Sequence, residues 1–281
     1  MSDARTTLAR SGLASTALEG LIAADRYVEP RLMLGGPALL PIRREPKSVS
    51  ERISELLAGE QFDVIDEKDG FALGQATRDG YVGWIEAAYL APFEALPTHR
   101  VLALRAPTFV APDIRSPLMH MLSMNALVTP WRTEGSLVEA RGMGWMPASH
   151  LAPIGEAFSN DPASVALQFL GTPYLWGGRS SLGLDCSGLI QQALYACGRS
   201  CPRDSDMQQA VGAPLDIGLD LKGLRRNDTV FWKGHVGIML DAERLLHANA
   251  FHMRVEIEPL AEAVARIEAA GNGPPAAFRR L

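Results

Sequence analysis

The chain has 281 residues, 47% of them hydrophobic, enough apolar mass for more than one packed core, so two or three domains are expected. A net charge of -5 without any run of Lys and Arg gives no general attraction to phosphate backbones, which argues against nucleic acid as a partner. No stretch approaches the roughly 18 consecutive apolar residues of a membrane span, and residues 1–30 never gather the apolar core of a signal peptide. Neither membrane association nor export is expected, and a cytoplasmic location follows by default.

Residues 1–32 show a patchy helical pattern with no assignable role. Beyond them lies a duplication: residues 83–92 read GWIEAAYLAP and residues 144–153 read GWMPASHLAP, with Gly83/Gly144, Trp84/Trp145, Leu90/Leu151 and Pro92/Pro153 at one constant offset. Short β-prone runs such as EQFDVID and VLALRAP, separated by turn signals such as EKDG and TRDG, precede the two Gly-Trp pairs. Each unit therefore reads as a compact all-β module of about sixty residues. Trp84 and Trp145 are expected in the cores of their modules. Tyr81, in the turn-like RDGYVG, is expected on a surface with its hydroxyl free. The GYVGWIEAAYL stretch, with LLAGE ahead of it, resembles bacterial SH3-like domains, and residues 33–94 and 95–155 read as two of them, the second resting mostly on its last strand.

From about residue 156 to residue 281 helix and strand signals alternate, which marks a new domain. PASVALQFLG suits a short helix ended by Gly171. After the aromatic and glycine-rich TPYLWGGRSSLGL comes DCSGLIQQALYACG, with apolar residues at helical spacing, Asp185 or Ser187 as cap and Gly198 as terminator. Cys186 then stands at a helix N-terminus, where unpaired N–H groups favour the thiolate. Position alone leaves it open between a nucleophile and a small buried hydrophobe. Cys197 reads as a residue buried along the helix face.

TVFWKGHVGIMLDAERLLHANAF offers two histidines on what read as antiparallel strands, 229–240 and 244–250, joined by the polar turn around DAER. His235 and His247 are expected to face each other across those strands, the first as a base and the second orienting it, with Cys186 delivered from the packed helix. The three cysteines, Cys186, Cys197 and Cys201, are too few for a disulfide framework and suit a reducing compartment. Cys197 and Cys201 have no second ligand pair nearby, so neither a metal nor any other cofactor is expected.

The successive stretches YLWGGRSSLGLDCSGLIQQAL, CPRDSDMQQ, LRRNDTVFW, GHVGIML and LLHAN resemble the motifs of the NlpC/P60 cysteine peptidases, in family order. The resemblance implies a papain-like α+β domain over residues 156–281, so that the expected fold class is α+β with two small SH3-like β-barrels in front. It implies Cys186 as nucleophile, His235 as general base and acid, His247 as the orienting third member and Tyr174 as an oxyanion donor beside the Cys186 N–H. Asp185 and Ser187 match positions that in relatives bind the free amine of an N-terminal L-alanine. On its own, a carboxylate that close would raise the thiol pKa. Tyr81 matches a tyrosine that reaches this pocket in some relatives, Glu60 is a looser candidate, and Trp176 is a further candidate substrate contact. Arg203 is expected to hold loops near the cleft, with contact to a substrate carboxylate as the alternative. Asn227 replaces the usual glycine ahead of the histidine strand and tolerates left-handed backbone, so the change reads as neutral.

The implied reaction is cleavage of the γ-D-glutamyl–diaminopimelate bond in murein tri- and tetrapeptides with a free N-terminal L-Ala, as in recycling of wall peptides. The competing readings are an exported wall hydrolase anchored by the SH3-like modules, an amidase or acyltransferase on another substrate, and a binding protein. The sequence gives no oligomeric state.

Overall fold

The computed structural model describes residues 3–37, 39–218 and 220–281, and the chain divides into two compact units, one ending at Ile154 and the other beginning at Gly155. In the first unit, seven strands pair in the order 90–92, 31–35, 61–68, 71–76, 82–86, 40–43 and 52–56. Period-two burial drives it: in Gln61–Lys68, Phe62 and Val64 turn inward onto Leu40, Ile42, Leu56 and Ile85. The Asp69–Gly70 turn of EKDG joins that strand to Phe71–Ala76 as a two-residue hairpin.

The helical reading of residues 1–32 is overturned. Ala9–Arg10, Leu13–Ser15 and Arg26–Val28 form a three-stranded sheet, and among the described residues of this segment only Thr16–Leu18 makes a 3-10 turn. Leu8 and Leu13 pack with Ile65, Phe71, Leu73 and Trp84, so the segment completes an apolar cluster that the seven-stranded sheet cannot close alone. Tyr81 is 5% exposed rather than lying on a surface, its backbone N–H bonded to Asp79 Oδ1.

The second half of this unit repeats the first locally. Val82–Glu86, the 3-10 turn Ala87–Tyr89 and Leu90–Pro92 reappear as Gly144–Pro147, Ala148–His150 and Leu151–Pro153. The sequence VLALRAP does not form one strand but breaks between His99–Val101 and Arg105–Phe109, which join a three-stranded and a five-stranded sheet. Leu57 and Ala58, from the first half, share one core with Val101, Leu122, Val128 and Met146. Trp84 and Trp145 are both buried.

The second unit sets four helices against one antiparallel sheet: α1 (Pro162–Leu167), α2 (Cys186–Ala196), α3 (Ser205–Gln208) and α4 (Leu260–Ala269). The six strands of that sheet run in the order 213–214, 277–280, 228–232, 235–239, 244–249 and 254–259, and Arg179–Ser180 pairs with Gly183–Leu184 in a separate two-stranded sheet. The run expected as one strand over 229–240 is a hairpin: Trp232 pairs with His235 around Lys233–Gly234, with Gly234 at φ +71°. The closing AFRRL is not an edge strand, because Ala277–Arg280 lies between Asp228–Trp232 and Ala213–Pro214. Nor are its arginines simply solvated: Arg280 pairs with the buried Asp228. Asn227 takes φ +73°, and its side-chain oxygen accepts the Ala163 N–H at 2.7 Å, a bond glycine could not make. Cys197 is the half-exposed C-cap of α2, not a residue buried along its face.

Candidate active site

The Asp-Cys-Ser-Gly sequence starts α2 because Asp185 is in extended conformation and its Oδ1 accepts the Gly188 N–H at 2.7 Å. Cys186 is thereby the first helical residue, 7% exposed, its Sγ 4.0 Å from the Gly234 carbonyl oxygen. Helix α2 packs on the strand His235–Met239, which brings Cys186 to Gly234, the residue before His235, across 48 residues of sequence. The expected depression of the thiol pKa does not follow. Burial first, and then the Asp185 carboxylate, push it up to about 12, outweighing the Val236 and Ser187 N–H groups and the charge of Arg203.

Asp185 is not an open carboxylate. Arg203, 1% exposed, reaches both of its oxygens, with Nη1–Oδ1 at 3.0 Å and Nη2–Oδ2 at 2.5 Å. Oδ2 also accepts the Gly177 N–H at 3.0 Å. Ser187 Oγ donates to Asp185 Oδ1 at 3.2 Å and accepts from Arg203 Nη1 at 2.8 Å. The expectation of an uncompensated charge awaiting a substrate amine is therefore corrected, since the cation is built in. Arg203 holds loops as expected, and specifically ties the α2 cap to Gly178.

His235 and His247 meet, with Nε2 of the first 2.8 Å from Nδ1 of the second and ring centroids 5.0 Å apart. They are diagonal neighbours rather than a direct cross-strand pair, because Ile238 opposes Leu246 and the next position toward His235 is Gly237. A Cβ at Gly237 would stand 3.1 Å from His247 Cβ and 2.7 Å from Leu245 Cδ1, so the glycine makes room for the ring. Burial, followed by the charges of His247 and Arg266, lowers the His235 pKa to about 3. The His247 pKa is also lowered by burial, against the opposing pull of Glu258. At neutral pH the resting couple is therefore a thiol beside a neutral imidazole.

Two residues here escaped the sequence reading. Glu258 Oε1 lies 2.6 Å from His247 Nε2, and Arg266, on α4, bonds the same oxygen. The alternation of Glu256 and Glu258 along Arg254–Pro259, the strand beside His247, was the available signal for the first. Arg266 depends on how α4 lies and had none.

Tyr174 is half-buried beside this centre: burial first, then Cys186 and Asp185, raise its phenol pKa well above the ordinary value, which keeps the hydroxyl a donor. Its backbone N–H bonds the Met253 carbonyl at 2.9 Å. Trp176 is 59% exposed. Tyr81 and Glu60 belong to the first unit, whereas the cysteine and both histidines belong to the second. Glu60, 1% exposed, accepts the Leu57 N–H at 2.9 Å and pairs with Arg78 at 2.9 Å, so it clamps a turn of its own unit rather than offering an open substrate contact. Among the described residues no three His, Cys, Asp or Glu side chains cluster as metal ligands, and no helix is long and apolar enough to cross a membrane.

The sequence model of the NlpC/P60 family matches residues 171–269, and that of the bacterial dipeptidyl-peptidase SH3 domain matches residues 42–90. Dipeptidyl-peptidase 6 of Lysinibacillus sphaericus is 28% identical over 243 residues, spanning 78% of this chain and 88% of that protein. The gamma-D-glutamyl-L-lysine dipeptidyl-peptidase of Bacillus subtilis is 27% identical over 198 residues, 66% of each chain. A solved NlpC/P60 family protein from Bacillus cereus shares the fold, with a TM-score of 0.73 at 19% identity over 89% of this chain and 99% of that one. The chain thus carries an NlpC/P60 domain, of the cysteine-peptidase superfamily, behind a bacterial SH3 domain of the dipeptidyl-peptidase type.

Proposed function

We propose that this protein is a cysteine peptidase in which Cys186 is the nucleophile, His235 the general base and acid, and His247 the residue that orients it. The observation that carries the reading is the His235–His247 bond at 2.8 Å on the strand against which the helix opened by Cys186 packs. With His235 Nε2 engaged, Nδ1 is the ring nitrogen left to take the thiol proton. Burial raises the thiol pKa and lowers that of His235, which favours proton transfer during attack over an ion pair formed beforehand.

As Sγ bonds to the carbonyl carbon, its proton passes to His235, and the oxyanion is met by the Cys186 N–H and the Tyr174 hydroxyl. The imidazolium then protonates the departing amine, leaving a thioester. Water, deprotonated by His235, hydrolyses it and restores the thiol.

We propose the γ-D-glutamyl–diamino acid bond of murein tri- and tetrapeptides as the scissile bond, with a free L-Ala at the substrate N-terminus. The names of the Lysinibacillus and Bacillus relatives support a dipeptide release of this kind. Trp176 supplies an exposed aromatic face in the loop beside Tyr174. Because Arg203 already holds Asp185, amine recognition there is a share of an occupied carboxylate, and discrimination against a blocked peptide is expected at about 10- to 100-fold. The reading extends to a papain-like core, a second SH3-like module over residues 95–155, and cytoplasmic recycling of wall peptides, which cell fractionation tests.

The first experiment is turnover of L-Ala-γ-D-Glu-diaminopimelate, its N-acetylated form and its lysine analogue by the purified protein and by Cys186→Ala. Cleavage of the free peptide, lost by at least about 10³-fold in the variant, is expected. Equal turnover in Cys186→Ala, or no cleavage of any of the three, would overturn the assignment.

A further inference from the structure

Neutral histidines can be arranged in two senses along a chain of hydrogen bonds, and only one sense leaves a base facing the thiol. His235 Nε2 and His247 Nδ1 share one hydrogen, so exactly one of these nitrogens carries it. If His247 holds it, His235 must carry its own hydrogen on Nδ1, and the imidazole then presents a donor where an acceptor is required. If His235 holds it, Nδ1 is a lone pair ready for the Cys186 proton. Nothing within the histidine pair chooses between the two.

The choice is made one step further out. Glu258 Oε1 stands 2.6 Å from His247 Nε2. Burial works to raise the Glu258 pKa, but the His247 and Arg266 bonds and charges outweigh it and hold the group below the usual carboxylate range. An ionised carboxylate can only accept, so His247 Nε2 must carry a hydrogen, its Nδ1 is bare, and His235 Nε2 must donate to it. Arg266 bonds the same Glu258 oxygen from α4. It keeps the carboxylate ionised while moderating its pull on the histidines. On its outer side, Arg266 lies under the exposed Phe251 ring, 4.5 Å from the centroid.

We propose that Glu258 and Arg266 are positioning residues that set the tautomers of His247 and His235, and so make His235 Nδ1 the base of the peptidase. The proposal rests on the Cys186–His235 reading above. The charged and titratable groups that act on the histidine pair are Glu258 and His252 from the neighbouring strand and its loop and Arg266 from α4, while Cys186 of α2 contacts the Gly234 carbonyl next to His235. In Glu258→Gln the amide can turn either its oxygen or its NH₂ to His247, and the second choice reverses the whole chain. A fall in kcat of about 10- to 100-fold with KM little changed is expected. Arg266→Met leaves Glu258 a stronger acceptor, so the histidine pair gains proton affinity and the acid limb of kcat moves to higher pH. Arg266→Lys is expected to restore the wild-type limb.

Nitrogen-15 spectra of the imidazoles in the wild-type protein test the tautomers without substrate. The proposal expects His247 with hydrogen on Nε2 and His235 with hydrogen on Nε2, and a mixed or reversed pattern in Glu258→Gln. Hydrogen on His247 Nδ1 in the wild type would overturn it, as would a Glu258→Gln enzyme with unchanged kcat and unchanged spectra. Should the wild type cleave no γ-D-glutamyl peptide, the peptidase reading fails, while the nitrogen spectra still decide the tautomers.

Discussion

Two arginine–carboxylate pairs stand behind Cys186 and His235, the couple proposed to react, one on the thiol side and one on the imidazole side. Asp185 and Arg203 are closed on each other: the guanidinium meets both carboxylate oxygens, and backbone N–H groups of Gly177 and Gly188 take the remaining capacity. Glu258 and Arg266 share one oxygen, and that same oxygen holds His247. The difference is one of purpose. A carboxylate beside a thiol disfavours the thiolate, so it is best neutralised, and here it is spent on the helix cap. A carboxylate beside an imidazole holds its hydrogen in place, so it works only if part of it stays available.

The sharpest way to break the comparison is to remove the cation from the closed pair. Arg203→Met leaves Asp185 buried without its partner, and a loss of about 3–5 kcal/mol of folding stability is expected in denaturant titration. The double change Arg203→Met with Asp185→Asn should regain most of that loss, because the uncompensated charge is gone. A loss below about 1 kcal/mol in the single variant would show that Asp185 does not depend on Arg203.

A second test uses pH, since the two sides of the couple titrate in opposite senses. His235 is held near 3, against about 6.5 in an unfolded chain. As pH falls from about 6.5 toward 3 the unfolded state takes up a proton that the folded state refuses, so stability is lost, by up to about 2 kcal/mol at pH 5. His247, lowered as well, adds in the same direction. The thiol, raised to about 12 from 9.0, acts on the alkaline side, where stability falls as pH rises above 9 because only the unfolded state ionises. Thermal unfolding of wild type, His235→Asn and Cys186→Ser between pH 4 and pH 10 checks both arms, each variant flattening only its own. Alkylation of Cys186 by iodoacetamide should likewise be slow at pH 7 and climb toward alkaline pH. A rate already at its plateau at pH 7 would mean that a thiolate is present at rest.

The elements that depend on neighbours in sequence were the legible ones. Asp185 caps α2 and Gly198 follows its end because both signals act within one helical turn. The two Gly-Trp repeats carry the same strand, turn and strand because the same local pattern is written twice. What escaped needed distant partners. Residues 1–32 read as helical from spacing alone, yet form strands because Leu8 and Leu13 find Phe71 and Trp84. Arg203 was seen as a tie without its partner, and Glu258 and Arg266 were not seen at all, because strand register and helix placement decide both. The run 229–240 hid its hairpin because Lys233–Gly234 is a weak turn signal inside a long apolar stretch.

Gly237 offers the smallest change that reaches the imidazole side alone. It sits between the two histidines in the register, opposite His247, on a strand buried on both faces. In Gly237→Ala the added methyl would meet Leu245 Cδ1 at 2.7 Å, and that side-chain end can swing aside, whereas His247 Cβ at 3.1 Å belongs to the backbone-anchored part of the ring and must move with its strand. Overpacking of this size costs about 1–2 kcal/mol. A displacement of a few tenths of an ångström falls on the His235–His247 bond, which is already at 2.8 Å and has no slack to lengthen without weakening. Activity should therefore fall by about tenfold, more than the stability loss would produce, while the closed Asp185–Arg203 pair, on a different element, keeps its geometry. Denaturation midpoints and kcat measured on one preparation separate the two effects. Should kcat follow only the folded fraction, the spacing of the histidines would have more tolerance than their tight bond implies, and the imidazole side would not need the room that glycine leaves it.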